Sequence, residues 1–252
     1  MECGGLRISN QCVKYPLVSI ICVTRNAEKT LPALINSVAG QNATFAELII
    51  IDGASEDGTC NILKTYDHKI DFWLSEPDNG IYHAMNKSLS WVRGRWVLFL
   101  GADDLLAGNF FKIAPYLKKK NTIYYGNAIY FGREFTKVYT DYYLTKLNIC
   151  HQAIFYPKTV FDKYKYDLQY KVYADYHLNL RCWKDVQFNF VHIDHLVANF
   201  GDCGFSTYTK DTLFELDRDQ LFKKYLKPSS YYRYLNRTIG FWATLKRLLR
   251  NN

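Results

Sequence analysis

Two adjacent carboxylates, Asp103 and Asp104, follow five apolar residues in "WVLFLGADD" (96–104). An unbroken apolar run reads as a strand buried on both faces, so the pair stands at the tip of a core element. In a dry site neighbouring carboxylates repel, and one pKa rises unless a positive charge shares the space. A surface loop would hold both in water. A divalent cation would hold both in a site, and hard oxygen ligands suit Mn²⁺ or Mg²⁺, which take one or two carboxylates plus substrate phosphates.

The same pattern recurs upstream. Thr24-Arg25-Asn26 follows "LVSIICV" (17–23), Asp52 opens "DGASEDGT" after "ELIII" (47–51), and Glu76 and Asp78 follow "DFWLS" (71–75). Taken singly, Asp52-Gly53 and Asn79-Gly80 are turn formers, and Ser55 or Asp57 are helix caps. Taken together, they put polar groups at the carboxyl end of every first-half strand, where open α/β sheets bind ligands. The sequence has no GxGxxG or GxxxxGK[ST] loop, so a phosphate-bearing ligand would need a metal to neutralise it.

The elements that must position these groups alternate. Helical patterns separate the four strands: Leu31, Leu34, Ile35 and Val38 with Pro32 in the first turn, "GTCNILKTY" (58–66), and "IYHAMNKSLSWV" (81–92) with Ile81, Met85, Leu89 and Val92 aligned. This βαβ alternation predicts an α/β fold with a mostly parallel sheet. After Phe110 the pattern loosens. "TIYYGNAIYFG" (122–132) reads as a hairpin around Gly126-Asn127 that "TKVYTDYYLT" extends, "ADYHLNLRCW" (174–183) as a helix, and "VQFNFVHIDHLVANFG" (186–201) as one or two strands. The second half reads as elements added to the first. One domain over 1–220 is expected, with halves at about 16–110 and about 111–220, and a tail over 221–252.

Net charge is +8, and the tail's eight cations account for all of it, leaving 24 basic and 24 acidic residues before it. A nucleic-acid binder would more often spread its cations over a recognition face, and none is expected as a partner. The seven cysteines (3, 12, 22, 60, 150, 182, 203) form no CxxC pair, which points to reduced thiols and a cytosolic compartment. "MECGGLRISN" does not read as a signal peptide, and no apolar run approaches the ~18 residues of a membrane span. A soluble or peripheral protein is expected.

In combination, "VSIICVTRNAEKTLPALINSVAGQ", "ELIIIDGASEDGT", "SEPDNGIYHAMNKSL", "GRWVLFLGADD", "NICHQAIFY" and "YADYHLNLR" resemble family 2 glycosyltransferases of the GT-A fold, closest to bacterial enzymes of O-antigen and exopolysaccharide assembly. The resemblance spans roughly residues 16–205. It implies a Rossmann-like GT-A fold and an inverting transfer of a hexose from a nucleotide-sugar, usually a UDP-sugar, with Mn²⁺ or Mg²⁺. Thr24, Asn26 and Asp52 would then line the base and ribose pocket, with Asp78 beside them. Asp103 would touch ribose or metal, and Asp104 would be the main metal ligand of a DxD-type motif. Asp175 matches the family's catalytic base, with Asp202 second; an N-cap is the plain alternative for Asp175. Lys87 or Arg25 would add charge near the phosphates, and His151 would position the acceptor. His83 stands where the family has Asp, Ser88 where it has Gly, and Asp202-Cys203 where a Gly pair is frequent. The family implies a polyprenyl-diphosphate-linked saccharide acceptor.

"YYRYLNRTIGFWATLKRLLR" (231–250) interleaves rings and aliphatics with cations and contains no acid. Such a segment fits an anionic membrane interface, which places the protein at the inner face of the cytoplasmic membrane, or else a terminal helix packed on the body. Two other readings compete. One is a sugar nucleotidyltransferase, although "TRNAEKT" lacks its glycines. The other is a non-catalytic membrane-surface module, which leaves the strand-end carboxylates without a purpose.

Overall fold

The computed structural model describes residues 1–9, 11–12, 15–41, 44–130, 132–201 and 209–240. The first half runs β1 (Glu2–Gly4), β2 (Val18–Thr24), α1 (Leu31–Ala39), β3 (Ala46–Asp52), α2 (Thr59–Thr65), β4 (Phe72–Ser75), α3 (Ile81–Ser88) and β5 (Trp96–Gly101). The second half adds β6 (Leu105–Leu106), β7 (Thr122–Tyr130), β8 (Arg133–Phe135), α4 (Asp141–Leu144), β9 (Ile154–Pro157), α5 (Lys158–Lys163), α6 (Ala174–Lys184), β10 (Asn189–Asn199), α7 (Thr212–Tyr225) and α8 (Pro228–Ile239).

Among the described residues one sheet has the order β1-β4-β3-β2-β5-β9-β7-β10-β6, with β8 on β7. The block β4-β3-β2-β5 is parallel. Its strands carry continuous apolar runs because alternate residues feed two cores. Ile21, Val23, Ile49, Val97 and Phe99 pack on the α3 side, and Ile20, Cys22, Leu48, Ile50 and Leu98 on the α1 side. Burying one such side chain stabilises by about 1.5–3 kcal/mol, so no register that turns them outward competes.

That register aligns the strand ends. Thr24 lies opposite Asp52, Asp52 opposite Ser75, and Val23 opposite Gly101. The chain leaves β2 to build β3 and β4 on one side and returns to place β5 on the other, so a crevice opens where strand order reverses.

The second half departs from its sequence pattern in several places. No turn occurs at Gly126-Asn127: β7 runs straight through both. Glycine is required there by tertiary contact, since a Cβ would sit 2.5 Å from Val197 Cγ2 and 2.6 Å from the His195 carbonyl. "TKVYTDYYLT" does not extend a strand either. It contains α4, whose N-cap Thr140 accepts a hydrogen bond from the Tyr143 amide. The segment 186–201 supplies a single strand, β10, bulged beyond His192 and parallel to β7. A boundary at residue 220 would fall inside α7, whose Phe222 is buried beside Tyr176. In α8, Tyr231 and Leu235 are buried while Arg233 lies 3.9 Å over the Tyr142 ring. No helix among the described residues is long and apolar enough to cross a membrane.

Candidate active site

A cleft of about 790 Å³ opens at the reversal point of the sheet, between the strand ends and the segment 168–172. Its donor wall begins where β2 ends. Asn26 adopts φ +53°, a left-handed conformation that asparagine tolerates. Its amide donates to Ser55 Oγ (2.7 Å), and its Oδ1 accepts from the Glu56 amide (2.9 Å). Thr24, Arg25, Asn26 and Lys29 all line the cleft.

Asp52 does not. It is fully buried, and its carboxylate collects the Ser55 hydroxyl and amide, the Ser75 hydroxyl (2.6 Å) and the Cys60 thiol. Its structural effect is to hold the loop that holds Asn26. Asp78 does reach the cleft, and its Oδ1 accepts from the Gly80 amide (2.8 Å). A Cβ on Gly53 would lie 2.5 Å from Asp78 Oδ2, so a larger residue there would displace the Asp78 carboxylate. Lys87 stays outside the cleft lining, paired with Glu76 (3.0 Å) and bonded to the Pro77 carbonyl. His83 lines the cleft and its Nδ1 accepts from the Asn79 amide.

The paired aspartates separate in function. Asp104 is 1% exposed, with Oδ2 accepting from the Gly101 amide (2.5 Å) and Oδ1 from the Gly201 amide (2.9 Å). Burial pushes it up to about 7, against the opposing pull of these two amides. Asp103 lines the cleft, and its buried Oδ2 has no hydrogen-bond partner. Asp103, in the cleft lining, is the better placed of the two for a hard cation, since both oxygens of Asp104 are engaged by backbone amides behind the wall. Among the described residues no three His, Cys, Asp or Glu side chains converge to hold a metal. The donor set therefore suits an ion that draws its remaining ligands from phosphates and water.

On the acceptor side Asp175 sits in the first turn of α6, 8% exposed, directly behind Tyr82 and Val172 of the cleft wall. The N-cap position belongs to Tyr173. The Asp175 side chain is engaged elsewhere, with Oδ1 accepting from Tyr82 (3.0 Å) and Oδ2 from Asn148 (2.7 Å). Burial pushes this carboxyl up to about 6, with the Tyr82, Tyr176 and Asn148 donors pulling the other way. His151 is not brought to the cleft. Its Nε2 lies 2.8 Å from the Tyr166 hydroxyl, its ring stacks on Phe99, and burial pushes it down to about 3, so it stays neutral. Asp202 lies outside the described residues.

Sequence reading missed Tyr82, Gln152, Tyr170 and Lys171, which complete the lining. For Tyr82 a signal existed. The stripe expected on α3 began at Ile81, yet Ile81 is 38% exposed at the cleft and Tyr82 is buried in its place.

Comparison with known proteins agrees with this geometry. The Glycosyl transferase family 2 profile matches residues 19–174. A PGL/p-HBAD biosynthesis glycosyltransferase of Mycobacterium bovis is 34% identical over 200 residues, covering 75% of this chain and 78% of its own. WfgD of Escherichia coli, a UDP-Glc:alpha-D-GlcNAc-diphosphoundecaprenol beta-1,3-glucosyltransferase, is 36% identical over 44% of this chain and 45% of its own. S. aureus TarS 1-349 in complex with UDP-GlcNAc superposes with a TM-score of 0.64 at 17% identity, over 87% of this chain and 70% of that one. The chain spans 42% of the longer TarS structure. The fold is GT-A, and the chain belongs to glycosyl transferase family 2: it is a glycosyltransferase.

Proposed function

We propose that the protein moves a hexose, with inversion, from a UDP-sugar to a sugar carried on a polyprenyl diphosphate, in assembly of a surface polysaccharide of O-antigen or exopolysaccharide type. The observation that carries this reading is the Asp103 carboxylate in the cleft lining beside Thr24, Asn26 and Asp78. WfgD, named for glucosyl transfer from UDP-Glc to a GlcNAc-diphosphoundecaprenol, supports the choice of substrates. Family membership sets aside the nucleotidyltransferase and the non-catalytic module.

Asp103 would hold Mn²⁺ or Mg²⁺, which when bound supplies positive charge to the diphosphate that departs. Asp104 keeps the Gly101–Asp103 turn and Gly201 in place. Thr24 and Asn26 form the base and ribose wall, Asp52 holds their loop from behind, and Arg25 and Lys29 add cations at the rim. Asp175 takes the proton from the acceptor hydroxyl as it attacks the anomeric carbon from the face opposite the leaving group. With its pKa at about 6, it is ionised at neutral pH yet basic enough to accept. A base across the cleft from the diphosphate favours a single displacement, and hence inversion. The basic aromatic segment from 231 onward would bring the enzyme to the cytoplasmic membrane face where such acceptors sit.

The test is thermal stabilisation by a panel of nucleotide-sugars with and without Mn²⁺. One UDP-sugar should stabilise the protein only with the metal, by about 2.7 kcal/mol at a hundredfold excess over Kd. Asp103→Ala should remove that metal-dependent part. If no nucleoside-diphosphate sugar stabilises with either ion, the reading fails.

A further inference from the structure

Asp175 ends a directed chain of buried side chains. The Tyr156 hydroxyl donates to Asn179 Oδ1 (2.7 Å), Asn179 Nδ2 to Asn148 Oδ1 (2.9 Å), and Asn148 Nδ2 to Asp175 Oδ2 (2.7 Å). Reversing the chain would strand the buried hydroxyl proton of Tyr156, whose one described partner is Asn179, at a cost of about 1–3 kcal/mol. Oδ2 therefore always accepts, and a proton taken up by Asp175 belongs on Oδ1. Oδ1 accepts from the Tyr82 hydroxyl at 3.0 Å, with the Tyr176 amide also donating to this carboxylate, and the same Tyr82 hydroxyl lies 2.5 Å from the Val172 carbonyl. One phenolic proton thus has two acceptors, one on each side.

We propose that Tyr82 is a positioning residue that satisfies Asp175 both before and after it takes the acceptor's proton. The inference rests on Asp175 being the base. In the ionised state the Tyr82 proton is shared with the carboxylate. When the acceptor proton arrives on Oδ1, the new carboxyl O–H donates to the Tyr82 oxygen, and the Tyr82 proton turns wholly to Val172. No proton leaves Tyr82 and no group is left unpaired in either state. Asn148 holds the carboxylate plane throughout. Asp211, whose Oδ2 accepts from the Val172 and Tyr173 amides at 2.8 and 3.0 Å, fixes the carbonyl end of the switch. The other titratable groups facing Asp175 are Tyr156 from β9, Tyr166 and Cys150 from the loops, and Tyr173 and Tyr176 on its own segment. Burial raises all of them, which keeps them neutral.

The test needs no substrate. Urea denaturation of wild type, Asp175→Asn, Tyr82→Phe and the double variant is followed across about pH 4–8.5. The wild-type deficit against Asp175→Asn should grow with pH and level off near 6, the folded value of Asp175. Phenylalanine cannot donate to the carboxylate, so on the Tyr82→Phe background the levelling point should move up by about one pH unit. Asn148→Ala, which removes the other donor, should move it the same way. With the UDP-sugar that the panel selects, Tyr82→Phe should lower kcat about tenfold and shift its acidic limb upward, with donor KM within about twofold. An unmoved levelling point and acidic limb, with Asp175→Asn inactive, would overturn the Tyr82 inference alone. An active Asp175→Asn would instead remove the base.

Discussion

The two walls of the cleft hold a buried carboxylate each, one mainly by backbone donors and the other mainly by side-chain donors. On the donor wall Asp104 is gripped by the backbone amides of Gly101 and Gly201, and burial lifts it to about 7. On the acceptor wall Asp175 is gripped by the side chains of Tyr82 and Asn148 and lifted to about 6. Backbone donors come with the turn, so they build a rigid frame that substitution elsewhere scarcely disturbs. Side-chain donors can be tuned one at a time, and one of them, Tyr82, can reverse its polarity. On the proposed reading, the donor wall would serve a fixed ligand geometry, and the acceptor wall a group that gains a proton during the reaction.

Substitutions can break this contrast in a graded way. The largest effect belongs to Asp175→Asn, which should lower turnover by about 10²–10⁴-fold while donor-induced stabilisation is retained; stopped assays and thermal shift together check this. Its stability effect has a definite sign. The folded pKa of about 6 lies above the unfolded value of about 3.9, so folding carries a penalty for the charge above pH 6 and none below 4. Asp175→Asn should therefore be more stable than wild type by up to about 3 kcal/mol at pH 8, a gain that vanishes by about pH 4. The acidic limb of kcat should fall near the same value.

Asp103→Ala should cost about 10²–10³-fold in metal-dependent turnover and little in stability, since its Oδ2 has no hydrogen-bond partner among the described residues. Asp104→Ala should do the reverse. It strands two backbone amides, and at about pH 4, where the raised Asp104 carboxyl carries no charge penalty, it should lower unfolding free energy by about 2 kcal/mol or more, read by urea titration. Equal stability losses for the two aspartates would dissolve the difference between ligand and frame. The smallest effect is on the tail. Lys246→Glu should weaken flotation on anionic vesicles by about fivefold, equivalent to about 1 kcal/mol, and leave neutral vesicles unaffected.

Much of this was legible in the residues. β-branched runs set the four parallel strands because both their faces are buried, and the polar residues after them fell on one edge because parallel strands share a direction. The acidic pair announced a site. What the pair could not announce was its division of labour. Adjacent side chains at a strand tip point different ways, and only the fold decides which meets the amide of Gly201, almost a hundred residues on. The same blindness applied at Gly126, where a local turn signal was in fact a place for β10 to press against β7.

Local chemistry is written in order along the chain, so hydrophobic period, turn residues and strand-end acids determined the α/β class and pointed to the binding edge, and the motif resemblance named the family. Burial and hydrogen-bond partnership depend on residues distant in the chain. It was therefore the tertiary structure that placed Asp52, Lys87 and His151 behind or beside the cleft, set Asp103 facing it, and joined Tyr82 to Asp175 across 93 positions. Side-chain pKa follows solvation and neighbours, and neither exists until the chain has folded.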